Sequence, residues 1–373
     1  MGYNCLILSG YRSDRSKGYL NTGVVKAFGD PLLDKEVMEK AAGIIRAGGL
    51  VAIPTETVYG LAGDALNPES ARKIYEAKGR PSDNPLIVHI ARLGDLEKIA
   101  KDIPAKAYAL AGKYWPGPLT MVFNKKDIVP YETTGGLNTV AVRFPVNKIA
   151  QELILASGGF IAAPSANVSG RPSCTTAEHC IADLDGKIDM IIDGGEVGIG
   201  LESTIIDMTG DMPCILRQGY INEAMLRDIL GEIETEALES EHPKAPGMKY
   251  RHYAPKGKLA IVRGSDDKVI AKINALTAEH ARCGSKTAVI ASHENADKYE
   301  ADIVRDIGSI DDEDMIAHRL FATLRELDDA GAEYIFSESF DTPRLGGAIM
   351  DRLMRAAGYN VIDADVTLKE EEN

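Results

Sequence analysis

From residue 50 to about residue 231, apolar runs of three to five residues alternate with amphipathic stretches, and glycine and proline mark the turns between them. Short apolar runs bounded by turn formers read as strands, and longer stretches with an apolar residue every third or fourth position read as helices. Strands are therefore expected at 50–53, 119–123, 140–144, 160–163, 190–192, 204–207 and 214–217. One helix starts where Asn67 caps it, with Pro68 at its first position and Ala71, Ile74 and Tyr75 inward, and it ends at Gly79. Another spans 147–156, and a third opens at Thr175, where Thr175-x-x-Glu178 reads as a capping box. A second alternation begins at Lys258: strand 259–263, helix 268–281, strand 287–291, a short strand near 303–307, helix 314–328, strand 334–336 and helix 346–357.

The pattern implies an α/β protein: a mixed-sheet domain, then a smaller open-sheet, Rossmann-like α/β domain. At 373 residues the chain exceeds the usual size of one core, which also favours two domains. Residues 1–33 read as an N-terminal extension with no assigned role, 34–231 as the first domain, 232–257 as a linker and 258–373 as the second domain. Residues 232–241 are acidic without apolar periodicity and are expected to leave the first domain as an exposed segment.

Composition narrows the function classes. The hydrophobic fraction of 45% and charged fraction of 26% are those of an ordinary globular protein, and no apolar run is long enough to cross a membrane. Arg12, Arg15 and Lys17 give only a faint transit-peptide signal. The five cysteines are odd in number, scattered and without a CxxC, which fits reduced thiols and a cytoplasmic location better than a disulfide framework or zinc site. The net charge of −14 divides into −4 over residues 1–256 and −10 over 257–373. A protein that grips nucleic-acid backbone carries a basic surplus, so the charge argues against tight non-specific RNA binding.

The sequence has no GxxxxGK[ST], HExxH or GxSxG and no Cys/His ligand spacing, so P-loop, metalloprotease and α/β-hydrolase chemistries fall away. Gly195-x-x-Gly198-x-Gly200 has the wrong spacing for a dinucleotide loop and reads as a turn. What remains is a binding constellation: Arg80, Arg143 and Arg217 with Lys78, His89, Thr57, Ser165, Asn167 and Ser203. Arginines match carboxylate and phosphate oxygens in pairs, while hydroxyls and amides fix orientation. Such a set suits a triphosphate beside a small carboxylate, with positioning and charge neutralisation supplying the catalysis and no nucleophile required. Each residue also has an ordinary structural role open to it. Arg143 at a strand end suits an ion pair, Thr57, Ser165, Asn167 and Asn84 suit turns, and His89 suits a half-buried strand position.

Six motifs in order decide between these readings: the segment 49–90 with PTETVYGL and KGR, then WPGPLT (115–120), AVRFP (141–145), APSANVSG (163–170), ESTIID (202–207) and LRQG (216–219). Together they resemble the YrdC family, and the stretch 245–255, APGMKYRHYAP, resembles the linker of its two-domain members. Ala245 replaces a serine that usually opens the linker motif, and Cys174 a proline that often follows the SANxSGxPS loop. The resemblance implies a YrdC-like twisted mixed sheet and an L-threonylcarbamoyladenylate synthase, a nucleotidyltransferase. From L-threonine, bicarbonate and ATP it would make threonylcarbamoyl-AMP and pyrophosphate. A partner transferase machinery would then modify tRNA beside the anticodon. It implies that Thr57, His89, Arg143, Ser165 and Ser203 hold threonine. Lys78, Arg80, Asn84, Thr139, Asn167, Thr175 and Arg217 would face ATP, with Tyr253 brought in by the linker acting as a lid. Mg2+ would arrive on the ATP, with no dedicated protein site. Two alternatives stand beside it: a hydrogenase carbamoyl-transfer factor, which would need zinc fingers this sequence lacks, and a double-stranded RNA-binding or ribosome-associated module with weak RNA affinity.

Overall fold

A computed structural model describes residues 22–235 and 252–366, which fall into two units. Residues 22–169 and 173–235 belong to the first, and Gly170–Pro172 with 252–366 to the second. No described helix is long and apolar enough to cross a membrane.

The strands of the first unit are β1 (Gly23–Lys26), β2 (Val51–Ile53), β3 (Gly60–Asp64), β4 (Ile87–His89), β5 (Ala100–Lys101), β6 (Leu119–Lys125), β7 (Thr139–Arg143), β8 (Ile161–Ala162), β9 (Met190–Asp193), β10 (Thr204–Asp207), β11 (Cys214–Arg217) and β12 (Glu234–Thr235). Its helices are α1 (Lys35–Arg46), α2 (Pro68–Lys78), α3 (Leu96–Ile99), α4 (Ala105–Tyr114), α5 (Lys148–Ala156), α6 (Ala177–Leu184) and α7 (Glu223–Leu230). One mixed sheet runs β1-β9-β2-β3-β8-β4-β7-β6-β10-β11-β12, with β5 paired to β6. The YrdC-like twisted mixed sheet expected of 34–231 is thus present, and Gly23–Lys26 from the N-terminal extension adds a strand parallel to β9.

Alternation along the central strands separates two faces. Val88, Met121, Val142 and Ile206 pack into the main core, with Tyr114 and Trp115 among it. Their neighbours Ile87, Val122, Ala141 and Ile205 form a smaller apolar patch on the opposite face, with Leu216. A third cluster unites α1 and α5 with β1, β2 and β9.

Three local expectations are corrected. The cap of α6 is Thr176, whose hydroxyl accepts from the His179 amide at 3.4 Å; Thr175 lies one residue earlier, within 3.3 Å of His179 Nδ1. The acidic run does not leave at once, because Glu234–Thr235 pairs with β11 and Ile233 before it is buried. Strand β3 escaped the apolar pattern because Gly60 and Gly63 interrupt it. A Cβ at Gly60 would sit 3.2 Å from that of Ala163, and one at Gly63 would sit 3.1 Å from both Ile74 and Leu50, so these glycines permit close packing.

The second unit alternates β13 (Lys258–Arg263), α8 (Asp266–Arg282), β14 (Thr287–Ala291), β15 (Ile303–Asp306), α9 (Glu313–Asp329), β16 (Tyr334–Glu338), α10 (Gly346–Ala356) and β17 (Val361–Asp363). Every pairing in its sheet, ordered β15-β14-β16-β13-β17, is parallel. That is the open Rossmann-like sheet expected of 258–373. Residues 236–251, most of the expected lid, lie outside the described residues.

Candidate functional site

Register brings the first group together. His89 lies opposite Arg143 across β4 and β7, and Arg143 lies opposite Thr120 across β7 and β6. Directly paired residues point to one face, so the three form a polar row where the apolar patch of that face ends. Thr139 is on the same face at the other end of β7, about 13 Å from Arg143 at 3.3 Å per residue. All three members of the row are buried.

The turn after β2 adds the next contacts. Thr55 Oγ1 donates to the Val58 carbonyl at 2.6 Å, so in its 2.9 Å contact with Thr57 it is Thr57 that donates. Thr57 Oγ1 then accepts from Arg143 Nη1 at 2.9 Å, and Glu56 Oε1 takes Arg143 Nη2 at 2.6 Å. The ion pair expected of an arginine at a strand end does exist, but it is buried within the site.

His89 Nδ1 faces the Ile87 carbonyl at 3.1 Å. A carbonyl only accepts, so Nδ1 carries the proton and Nε2 is an acceptor. Burial, with Arg143 beside it, pushes the imidazole down to about 3, and it stays neutral at physiological pH.

The second group comes from α2 and the loop after β8. Asn67 caps α2 by accepting from the Glu69 amide at 2.9 Å. Gly79, at φ +59°, ends the helix in the left-handed conformation open to glycine. That turn throws Lys78 inward and Arg80 toward the 81–85 loop. Arg80 Nη2 donates to Asn84 Oδ1 at 2.5 Å and to the Pro85 carbonyl at 3.1 Å. Lys78 Nζ donates to the carbonyls of Ser165 and Asn167. Ser165 Oγ donates in turn to Asn167 Oδ1 at 2.5 Å. Burial, and then the charge of Arg80, lowers the Lys78 amine to about 7, while the two carbonyls facing it favour its charged form and oppose that shift.

Ser203 is the third centre. Its Oγ lies 2.7 Å from Thr120 Oγ1, and Arg217 donates to its carbonyl from Nε at 3.1 Å and Nη2 at 2.9 Å. Gly219 makes this possible: a Cβ there would lie 2.5 Å from the Thr204 amide and 2.7 Å from the Glu202 carbonyl. Arg217 and Ser203, assigned by resemblance to different ligands, therefore share one hydrogen-bonded unit.

Thr175 is fully buried in the turn before α6, where its carbonyl accepts from Val197. Tyr253 belongs to the second unit, with its ring 5.0 Å from Phe321 and Arg352 Cζ 6.0 Å above it. Among the described residues no group of three or more His, Cys, Asp or Glu is arranged to hold a metal.

Sequence reasoning gave no role to Glu56 or Thr120. Glu56 sits beside Thr57, which already reads as a turn residue, and Thr120 is one polar residue in the apolar run of β6. Pairing register, invisible in a single sequence, gives both their place.

A family profile described as "telomere recombination", Sua5/YciO/YrdC, matches residues 43–219, and one described as "threonylcarbamoyl-AMP synthase, C-terminal domain" matches 221–358. The chain is 49% identical to a threonylcarbamoyl-AMP synthase of Pyrococcus abyssi, covering 86% of this chain and 94% of that one. It is 45% identical to the Bacillus subtilis protein of the same name, over 87% and 93%. Among solved structures, that of P. abyssi Sua5 complexed with L-threonine superposes with a TM-score of 0.87 at 46% identity, covering 92% of this chain and 99% of that one.

Proposed function

The chain belongs to the Sua5/YciO/YrdC family, and we propose that it makes threonylcarbamoyl-AMP from L-threonine, bicarbonate and ATP. The observation that carries this reading is the polar row His89–Arg143–Thr120 in the same unit as the Lys78–Arg80 loop and the Arg217–Ser203 pair. One guanidinium suits an amino-acid carboxylate, and the other cations suit a triphosphate.

In the first step the threonine ammonium and bicarbonate give a carbamate, one water and one proton. A carbamate oxygen then attacks the α-phosphorus of ATP, the α–β P–O bond breaks, and pyrophosphate leaves. In this reading Thr57, His89, Arg143, Ser165 and Ser203 hold threonine. His89, neutral with Nε2 as acceptor, suits a hydroxyl or amine hydrogen. Lys78, Arg80, Asn84, Thr139, Asn167, Thr175 and Arg217 serve the nucleotide. The side chains nearest the expected phosphates are cationic and repel a metal, so Mg2+ fits as a passenger on the triphosphate.

The product, a mixed anhydride, suits transfer of its threonylcarbamoyl group to a tRNA adenosine by a partner transferase. A cytoplasmic location fits a sequence whose five cysteines are scattered and without a CxxC. The RNA-binding alternative is disfavoured by the −14 charge.

Pyrophosphate release in bicarbonate buffer tests the reading. Release is expected to need both threonine and bicarbonate, with serine as a poor substitute; release indifferent to threonine contradicts it.

A further inference from the structure

The Glu56–Arg143 pair has a geometry that substrate binding alone does not require. Arg143 is held from two sides, by Thr57 on Nη1 and Glu56 on Nη2, while Nε is buried with no hydrogen-bond partner. Glu56 is fixed in turn: the Val146 amide donates to its other carboxylate oxygen at 3.3 Å, and the Ile199 amide holds its backbone carbonyl at 2.9 Å. The side chains of Glu56 and Arg143 retain only 11% and 5% exposure.

We propose that Glu56 is a positioning residue, which fixes the guanidinium plane of Arg143 so that its remaining donors meet the amino-acid carboxylate in one orientation. The inference rests on the amino-acid role proposed for Arg143. An unclamped arginine keeps its charge but must lose rotational freedom on binding, and that loss weakens affinity. Glutamine at this position keeps an acceptor oxygen with the same reach, whereas alanine removes it.

The test uses the full chain in three forms: wild type, Glu56→Ala and Glu56→Gln. In Glu56→Ala the KM for threonine is expected to rise about tenfold or more, the scale of one charge-assisted contact, with the KM for ATP almost unchanged. Glu56→Gln is expected to recover most of the loss. An unchanged threonine KM in Glu56→Ala overturns the proposal. So does a Glu56→Gln protein as impaired as Glu56→Ala, since that outcome assigns the effect to charge.

A second readout needs no substrate. In nitrogen-15 spectra, with the Arg143 signal assigned by its loss in Arg143→Lys, rotation of the guanidinium is expected to be slow in wild type and Glu56→Gln and fast in Glu56→Ala. Equal rotation in wild type and Glu56→Ala overturns the clamp even if alanine lowers stability. Failure of wild type to use threonine, with the rotation difference intact, would instead overturn the proposed function and leave the clamp standing.

Discussion

Arg143→Ala is expected to weaken threonine binding about tenfold to a hundredfold and to leave ATP binding within about twofold, because a hydrogen bond to a charged group contributes roughly 1.5–3 kcal/mol. The same change strands Glu56, whose side chain is 11% exposed and whose carboxylate pairs with Arg143 at 2.6 Å. Breaking a buried pair by removing one partner costs roughly 3–5 kcal/mol, so the variant is also expected to melt at a lower temperature. The two effects separate in the double variant with Glu56→Ala, where stability returns in part while threonine binding stays weak. Arg143→Lys keeps the charge but cannot reach Thr57 and Glu56 from two sides at once, and it is expected to fall between. Titration calorimetry with each ligand and thermal unfolding check these outcomes. Equal loss of threonine and ATP binding would contradict the division of the site.

Lys78 is expected to give the largest effect on the nucleotide side. Its amine ties the carbonyls of Ser165 and Asn167, so Lys78→Met removes both a cation and the strut that holds their loop. An ATP affinity lower by about tenfold or more is expected, on the scale of a charged contact. Wild-type ATP affinity is expected to fall as pH rises through about 7, where the amine loses its proton, and binding above that pH should take up a proton. Stability follows the opposite sign. The native value lies near 7 and the unfolded value at 10.5, so between them the unfolded chain binds more protons and stability rises with pH. Lys78→Met should remove both dependences. Calorimetry in buffers of different ionisation enthalpy, with unfolding measured across the same pH range, checks them.

Much of the fold was legible because apolar runs and turn residues agreed along the chain. Strands 204–207, 214–217 and 287–291 formed as expected, and α2 has the cap, first proline and terminal glycine read for it. What escaped was set by tertiary packing. The glycines of β3 are poor strand formers that serve close approach, and β1 has only four residues of ordinary composition in a polar extension. At α6, two adjacent threonines were equally good caps by type, and local geometry chose the second.

The site followed the same division. Single residues such as His89 and Ser165 were ambiguous until ordered motifs joined them. The links Arg143–Glu56, Thr120–Ser203 and Arg217–Ser203 span 14 to 87 residues and depend on register. The last of these joins a residue read as nucleotide-facing to one read as threonine-facing, a coupling that no local pattern carries.

The most direct test of adenylylation by this site follows the carbon. Enzyme, ATP and threonine are incubated with labelled bicarbonate, and the products are separated without acid. Label in an adenylate that contains threonine, formed in step with pyrophosphate, is the predicted result. Pyrophosphate without labelled adenylate, or label that enters without threonine, would contradict the account.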